Sequence, residues 1–252
     1  MIELKGLTKR FGSMTAVDSL DIKIHPGELF AFLGPNGAGK TTTIKMIVGL
    51  LRPTDGRVTL CGHDVQQDSI AAKSLLSYVP DQPYLYDKLT GREFLEFVAR
   101  MYGLPRSDTG RKIAQMAEWF ELAGFLDELG ETYSHGMKQR VVITAALLHD
   151  PQVLVVDEPL VGLDPKGANT LKQVFRDSAE RGVTIFMSTH TLALAEEIAD
   201  TVGILNRGHL IATGSPESIR LEATADARLE DAFLALTRDT AGADTIGLGD
   251  TG

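Results

Sequence analysis

"LFAFLGPNGAGKTTTIKMIVGL", residues 29–50, decides the reading of this chain. It opens as a continuous apolar run ending in glycine, the pattern of a strand buried on both faces of a parallel sheet. "GPNGAGKTT", Gly34 to Thr42, then fits G-x-x-x-x-G-K-[ST] with Gly34, Gly39, Lys40 and Thr41. Glycines let the backbone curl so that successive N–H groups point inward at phosphate oxygens. A helix is expected from about Lys40 to Leu51, stopped by "RPTDG". Lys40 is expected to reach the β- and γ-phosphates of a nucleotide, and the Thr41 hydroxyl to hold Mg²⁺. A Gly-rich turn can also do no more than join a strand to a helix, but the strand–loop–helix context favours phosphate.

Around this stretch the chain alternates strands and helices. "SLDIKI" puts Leu20, Ile22 and Ile24 on one face of an early strand, "HPGE" is a turn, and "RVTLCG" is another short strand. The alternation resumes near Val141 and runs through "VLVVDEP", "TIFMSTH", "LAEEIADTV" and "GILNRG", which predicts a mostly parallel sheet with helices packed on it. From about Thr90 to Leu129 no strand is expected. Leu95, Val98 and Met101, then Ile113, Met116 and Phe120, recur three and four apart and predict two amphipathic helices inserted into the α/β domain. "DAFLAL" reads as a last short helix, and residues 236–252, small, polar and Gly-rich, as a disordered tail.

Composition narrows the class. At 252 residues the chain can bury a sizeable core, and 43% apolar with 23% charged residues fits a water-soluble globular protein. No apolar run approaches the ~18 residues of a membrane helix. The first residues carry no apolar signal segment, so export is not expected. A single cysteine, Cys61, rules out an internal disulfide and fits a reducing compartment. The net charge of −9 provides no general cationic field for nucleic acid, and none is expected as a partner.

Three further stretches carry chemistry. "VLVVDEP", residues 153–159, ends an apolar strand in two acids at the sheet edge where ligands bind. Neighbouring strand residues point in different directions, so Asp157 can hold Mg²⁺ while Glu158 orients or deprotonates an attacking water. "TIFMSTH" ends in His190 at the same expected edge, where an imidazole can hydrogen-bond a γ-phosphate; a lone histidine is otherwise usually structural. His25, His63, His149 and His209 read as surface or turn residues. "YSHGMKQR", residues 133–140, is a polar turn running into an apolar helix, a second anion site in a chain that already has a better one.

Taken in order, "GPNGAGKTT", "YSHGMKQR", "VLVVDEP", "GLDP" and "STH" resemble the nucleotide-binding subunit of an ABC transporter, over about residues 1–235. The resemblance implies an α/β fold: a P-loop NTPase (ABC ATPase) core with a mostly parallel sheet, an N-terminal antiparallel β-subdomain, and a helical subdomain inserted at about 84–135. It implies ATP and Mg²⁺ as ligands, with ATP held by Pro35, Asn36, Gly37, Ala38 and Thr42 beside Gly34, Gly39, Lys40 and Thr41. Phe11 matches the aromatic residue that stacks on adenine. Such subunits pair head to tail, so Ser134 and the N–H groups near Gly136 would serve the γ-phosphate bound to the partner, and Asp164 would link the two sites. The chain departs from the family's Leu-Ser-Gly-Gly-Gln at Tyr133, His135 and Met137. The family's glutamine loop maps to "SYVPDQPYLYDKLT", where Gln82 is taken as the Mg²⁺ or water contact and Asp81 is its rival.

"PYLYDKLTGREFLEFVARMYGL" together with "YSHGMKQR" resembles ATP-binding subunits that pair with ABC-2-type membrane proteins. Residues 84–89 would then face a transmembrane permease on a separate chain, with this chain peripheral at the cytoplasmic face of the membrane, as a homodimer or a heterodimer with a relative. The expected activity is ATP hydrolysis driving export. The alternatives are a soluble ABC ATPase acting on a ribosome or DNA, and a regulatory module that holds ATP without turnover. No sustained heptads of the DNA-repair type are present, and the intact Lys40, Asp157, Glu158 and His190 speak against the regulatory module.

Overall fold

The computed structural model describes residues 1–223 and 228–242. Two sheets organise it. The first is antiparallel and four-stranded, in the order β2-β1-β4-β5, from β1 (Ile2–Phe11), β2 (Met14–Ile24), β4 (Asp55–Leu60) and the short β5 (His63–Asp64). Leu20, Ile22 and Ile24 of β2 are buried, as their alternation predicts.

The second sheet is six-stranded, β10-β9-β3-β8-β7-β6. Its strands are β3 (Leu29–Leu33), β6 (Leu76–Val79), β7 (Val153–Asp157), β8 (Thr184–Thr189), β9 (Thr201–Asn206) and β10 (His209–Gly214). All neighbours pair in parallel except the β9–β10 edge hairpin. β3 and β7 are buried along their whole length, because both faces of the sheet are covered. Successive residues of β3 divide between two cores. Phe30 and Phe32 join Phe186, Ile44 and the antiparallel sheet, while Leu29, Ala31 and Leu33 face a core shared with the helices. Parallel pairing in register brings the C-terminal ends of β3, β7 and β8 to one common edge, where the site forms.

α1 (Lys40–Ile47) is shorter than expected, because the chain turns at Gly49 (φ 69°) and Leu50 and Leu51 bond back to the Lys45 carbonyl. α2 (Ser69–Ser74) precedes β6. Between β6 and α5 (His135–Leu147) lie α3 (Gly91–Met101), α4 (Arg106–Trp119) and a 3₁₀ turn at Gly130–Thr132. Thr90 opens α3 with a capping box, and Thr90 and Leu129 form a bridge that closes the base of this insertion. The buried stripe of α3 is Gly91, Phe94, Leu95 and Ala99; Met101, expected on that face, is 69% exposed.

α6 (Pro165–Glu180) and α7 (Leu192–Ile198) cross between β7, β8 and β9, and α8 (Pro216–Ala223) follows β10. α9 (Leu229–Gly242) runs past the expected boundary at residue 235: Leu229 and Ala232 are buried, and Phe233 and Leu236 pack on the same core. Residues 236–242, expected to be disordered, are therefore helical; 243–252 lie outside the described residues. No described helix is long and apolar enough to cross a membrane.

Candidate functional site

β3 delivers the chain to Gly34, and α1 takes it up at Lys40. The turn between them presses against neighbouring backbone. A Cβ on Gly34 would lie 2.4 Å from the Leu205 carbonyl oxygen, and one on Gly39 would lie 2.5 Å from the Ala16 carbonyl oxygen. Gly39 also sits at φ 111°, which L side chains avoid. No side chain caps α1, so its leading N–H groups are left for a ligand. Lys40 is buried, and its Nζ donates to the Gly34 and Pro35 carbonyls at 2.5 and 3.2 Å, bridging the turn. Burial lowers its pKa, opposed by the nearby Glu158 and Asp157 charges.

A cleft of about 480 Å³ opens over this turn. Phe11, Pro35, Asn36, Gly37, Gly39, Lys40, Thr41 and Thr42 line it, with Asp157 and Glu158 across. Gly34 and Ala38 lie outside this lining: Ala38 is packed in the core and its N–H is taken by the Pro35 carbonyl. Phe11, at the end of β1, is 46% exposed with Lys9 Nζ 5.2 Å from its ring centre.

Asp157 ends β7 opposite Ser188 of β8, and the Ser188 hydroxyl donates to its carboxylate. Burial raises the Asp157 pKa; the Ser188 hydrogen bond opposes this, Asp81 and Glu158 add to it, and Lys40 also opposes it. Glu158 leaves the strand at φ 50°, a left-handed conformation costly for a non-glycine residue, fixed by its N–H donating to the Ser188 carbonyl at 3.0 Å. That bend turns its carboxylate to His190, whose Nδ1 lies 2.8 Å from Oε1. The His190 N–H and the Thr189 hydroxyl each donate to Oε2 at 3.4 Å. Glu158, expected to act on the attacking water, and His190, expected on the γ-phosphate, are thus a pair.

The two candidates for the glutamine-loop position are placed differently. Asp81 lines the cleft and Gln82 does not; the Gln82 N–H instead donates to the Asp81 carboxylate at 2.9 Å. Asp81 is close enough for its charge to raise the pKa of Asp157 and to help push the Tyr78 hydroxyl up to about 12, an effect dominated by burial. Once β6 carries the chain to this edge, the first residue after Pro80 reaches the cleft.

Ser134, Gly136 and Asp164 are not among the residues lining the cleft. Ser134 caps α5, accepting from the Met137 N–H at 3.3 Å, and Asp164 caps α6, accepting from Gly167 at 2.7 Å. Tyr133 is buried; its hydroxyl accepts from the Gly91 N–H at 3.0 Å and donates to the Phe125 carbonyl at 2.7 Å, tying the polar turn before α5 to the insertion. Sequence reasoning missed Ser188, although its place before Thr189 and His190 on a buried strand was a usable signal. It also missed Met14 and Ala16, cleft residues from β2 with no local signature. His149, expected at the surface or in a turn, lies in the turn after α5, half-buried and stacked on Tyr102 with ring centres 3.6 Å apart.

The sequence profile of the ABC transporter family matches residues 17–161. The chain is 37% identical over 243 residues to the probable multidrug ABC transporter ATP-binding protein YbhF of Escherichia coli (strain K12), which covers 95% of this chain; the chain spans 42% of that relative's length. A solved ATP-binding subunit of an ABC transporter superposes with TM-score 0.89 at 33% identity, covering 94% of this chain and 99% of that one. A dimeric ATP-binding cassette, solved in a post-hydrolysis state with ADP and Pi, superposes with TM-score 0.77 at 25% identity over 85% of this chain and 98% of that one. A motif-bearing sheet edge of this geometry, matched by family profile and by fold, means that the chain belongs to the ABC transporter family, as an ATP-binding subunit.

Proposed function

We propose that this chain hydrolyses ATP to drive export through a transmembrane permease on a separate chain. The observation that carries the reading is the convergence of Lys40, Asp157, Glu158 and His190 at one sheet edge, while a second pair of helix starts stands outside that cleft. ATP is held by the turn from Gly34 to Thr42, with Phe11 against the base. Glu158, oriented by His190, takes the proton from the attacking water or aligns it. Mg²⁺, when bound, neutralises phosphate charge. Thr41 and Asp157, with Asp81 rather than Gln82 nearby, supply oxygen donors of the kind it takes. Among the described residues no cluster of three or more His, Cys, Asp or Glu forms a cage for a metal, which suits an ion held largely by nucleotide and water.

Ser134, Gly136 and Asp164 complete the site of a second ATPase subunit, a copy of this chain or a relative. The working unit is then a dimer, peripheral at the cytoplasmic face of the membrane, and residues 84–89 of the insertion meet the permease. The ABC ATPase domain runs from residue 1 through α9, past the expected boundary at 235, with the helical subdomain at about 84–135. The multidrug description of YbhF supports the export direction.

The test is co-purification. A tagged Glu158→Gln chain with ATP, which should hold the closed dimer, is extracted in detergent, and what accompanies it is identified. A stoichiometric multi-span membrane protein is expected. Ribosomes or nucleic acid, with nothing from the membrane, would overturn the reading in favour of a soluble ABC ATPase.

A further inference from the structure

Residues 158–164, the loop that leads from Glu158 to Asp164, have no regular structure of their own and lie against α5. Three contacts join the two. Gln139, buried at 1% exposure, donates from Nε2 to the carbonyl of Pro159 at 3.3 Å, one residue after Glu158. The His135 imidazole, itself exposed, lies beside Gly162: a Cβ there would meet Cδ2 at 2.2 Å and Cγ at 3.0 Å unless the ring turned away. A Cβ on Gly136 would lie 2.8 Å from the Gly162 carbonyl oxygen. The other amide atom of Gln139, Oε1, is buried with no hydrogen-bond partner. An apolar residue of similar shape would avoid that cost, so the bond to Pro159 is what the amide contributes at this position.

We infer that α5 clamps the 158–164 loop through His135 and Gln139, so that the state of the Ser134–Gly136 turn sets the position of Glu158 in the same chain. The inference rests on the ATPase reading above. Neither residue lines the nucleotide cleft, so both are positioning residues. His135 belongs to the turn that would meet an anion, and Gln139 lies one helical turn further on, beside Pro159. A shift of the first turn of α5 therefore moves Gly162 and Pro159 together. The glutamate between Pro159 and the rigid end of β7 depends on that placement for its approach to His190, now 2.8 Å.

The experiment uses the full chain with Gly162→Ala, His135→Gly, the two combined, and Gln139→Met. Phosphate release is measured over a range of protein concentration. It is expressed per nucleotide-competent chain, titrated with a fluorescent ATP analogue, so that misfolded protein does not count. Gly162→Ala drives a methyl into the imidazole and should lower turnover about 10- to 100-fold with little change in nucleotide affinity. Adding His135→Gly opens the space and should return much of that loss, incompletely, because φ 79° still disfavours alanine. Gln139→Met should lower turnover per competent chain while leaving nucleotide affinity in place. Losses that simply add in the combined variant, or a Gln139→Met chain with unchanged turnover, would overturn the clamp. A wild-type chain that releases no phosphate would sink the ATPase reading and the clamp with it. Release by wild type together with additive losses removes the clamp alone.

Discussion

Two helices of this chain begin at polar, glycine-containing turns, and they are finished in opposite ways. α1 has no side-chain cap; its turn is closed by backbone approaching Gly34 and Gly39, and it opens into a cleft with Lys40, Asp157 and Glu158. α5 is capped by its own Ser134 and lies outside that cleft. Uncapped helix donors at an open cleft are met by water until a ligand replaces it. The first turn is thus a phosphate site within one chain. The second has the Met137 N–H met by its own Ser134, and on the dimer reading proposed above the phosphate it serves comes with another chain.

The comparison can be broken first at the acid pair. Glu158→Gln should lower phosphate release by about a thousandfold while nucleotide binding, measured by equilibrium titration, stays nearly unchanged. Equal loss of both would mean that Glu158 serves binding rather than chemistry. The next test asks whether the two turns belong to one site or two. Ser134→Ala should lower turnover about 10- to 100-fold, the worth of a hydrogen bond to a charged group, and Lys40→Ala should remove nucleotide binding. Mixed together, the two inactive variants should regain activity, because one composite site in the mixed dimer keeps an intact Lys40 and an intact Ser134. Failure to complement would return both turns to a single chain.

Phe11→Ala sharpens the nucleotide side alone. Losing a stacking face should raise KM for ATP by about tenfold with kcat held, and a triphosphate lacking a base should not distinguish the variant from wild type. The smallest effect concerns the far end of α5, where His149 stacks on Tyr102. Burial pushes its pKa down to about 4 from 6.5; Lys112 adds to this, while Asp150 opposes it. The unfolded chain therefore binds a proton that the folded chain resists. The contribution is whole above about pH 6.5 and is lost as the pH falls toward about 4. Thermal unfolding between those limits should fall less steeply with acid in His149→Phe, which keeps the ring stack and removes the titration.

Much of the site was legible because its motifs are contiguous. The strand, the turn from Gly34 to Thr42 and the start of α1 follow from neighbouring residues alone, since curling backbone and helix entry are local events. The polar turn before α5, the acids at the end of β7 and His190 just past β8 were legible for the same reason. Helix ends were less so: α1 stops early because the chain turns at Gly49 against Val65 and Lys73, and α9 continues because a distant core receives Leu236.

What the sequence by itself determined, then, is the chemistry at each strand end, because residue type and spacing fix which groups a short segment can present. Only the tertiary structure decided which of these groups meet. It set Asp81 and not Gln82 in the cleft lining, joined Glu158 to His190, set Ser188 on Asp157, buried Tyr133 against the insertion and laid Gly162 beside His135. Each of these depends on strand order or on helices packing across separations in sequence that no local pattern encodes. Neighbouring residues share a backbone path; side chains from different elements share a site only when the core holds those elements in register.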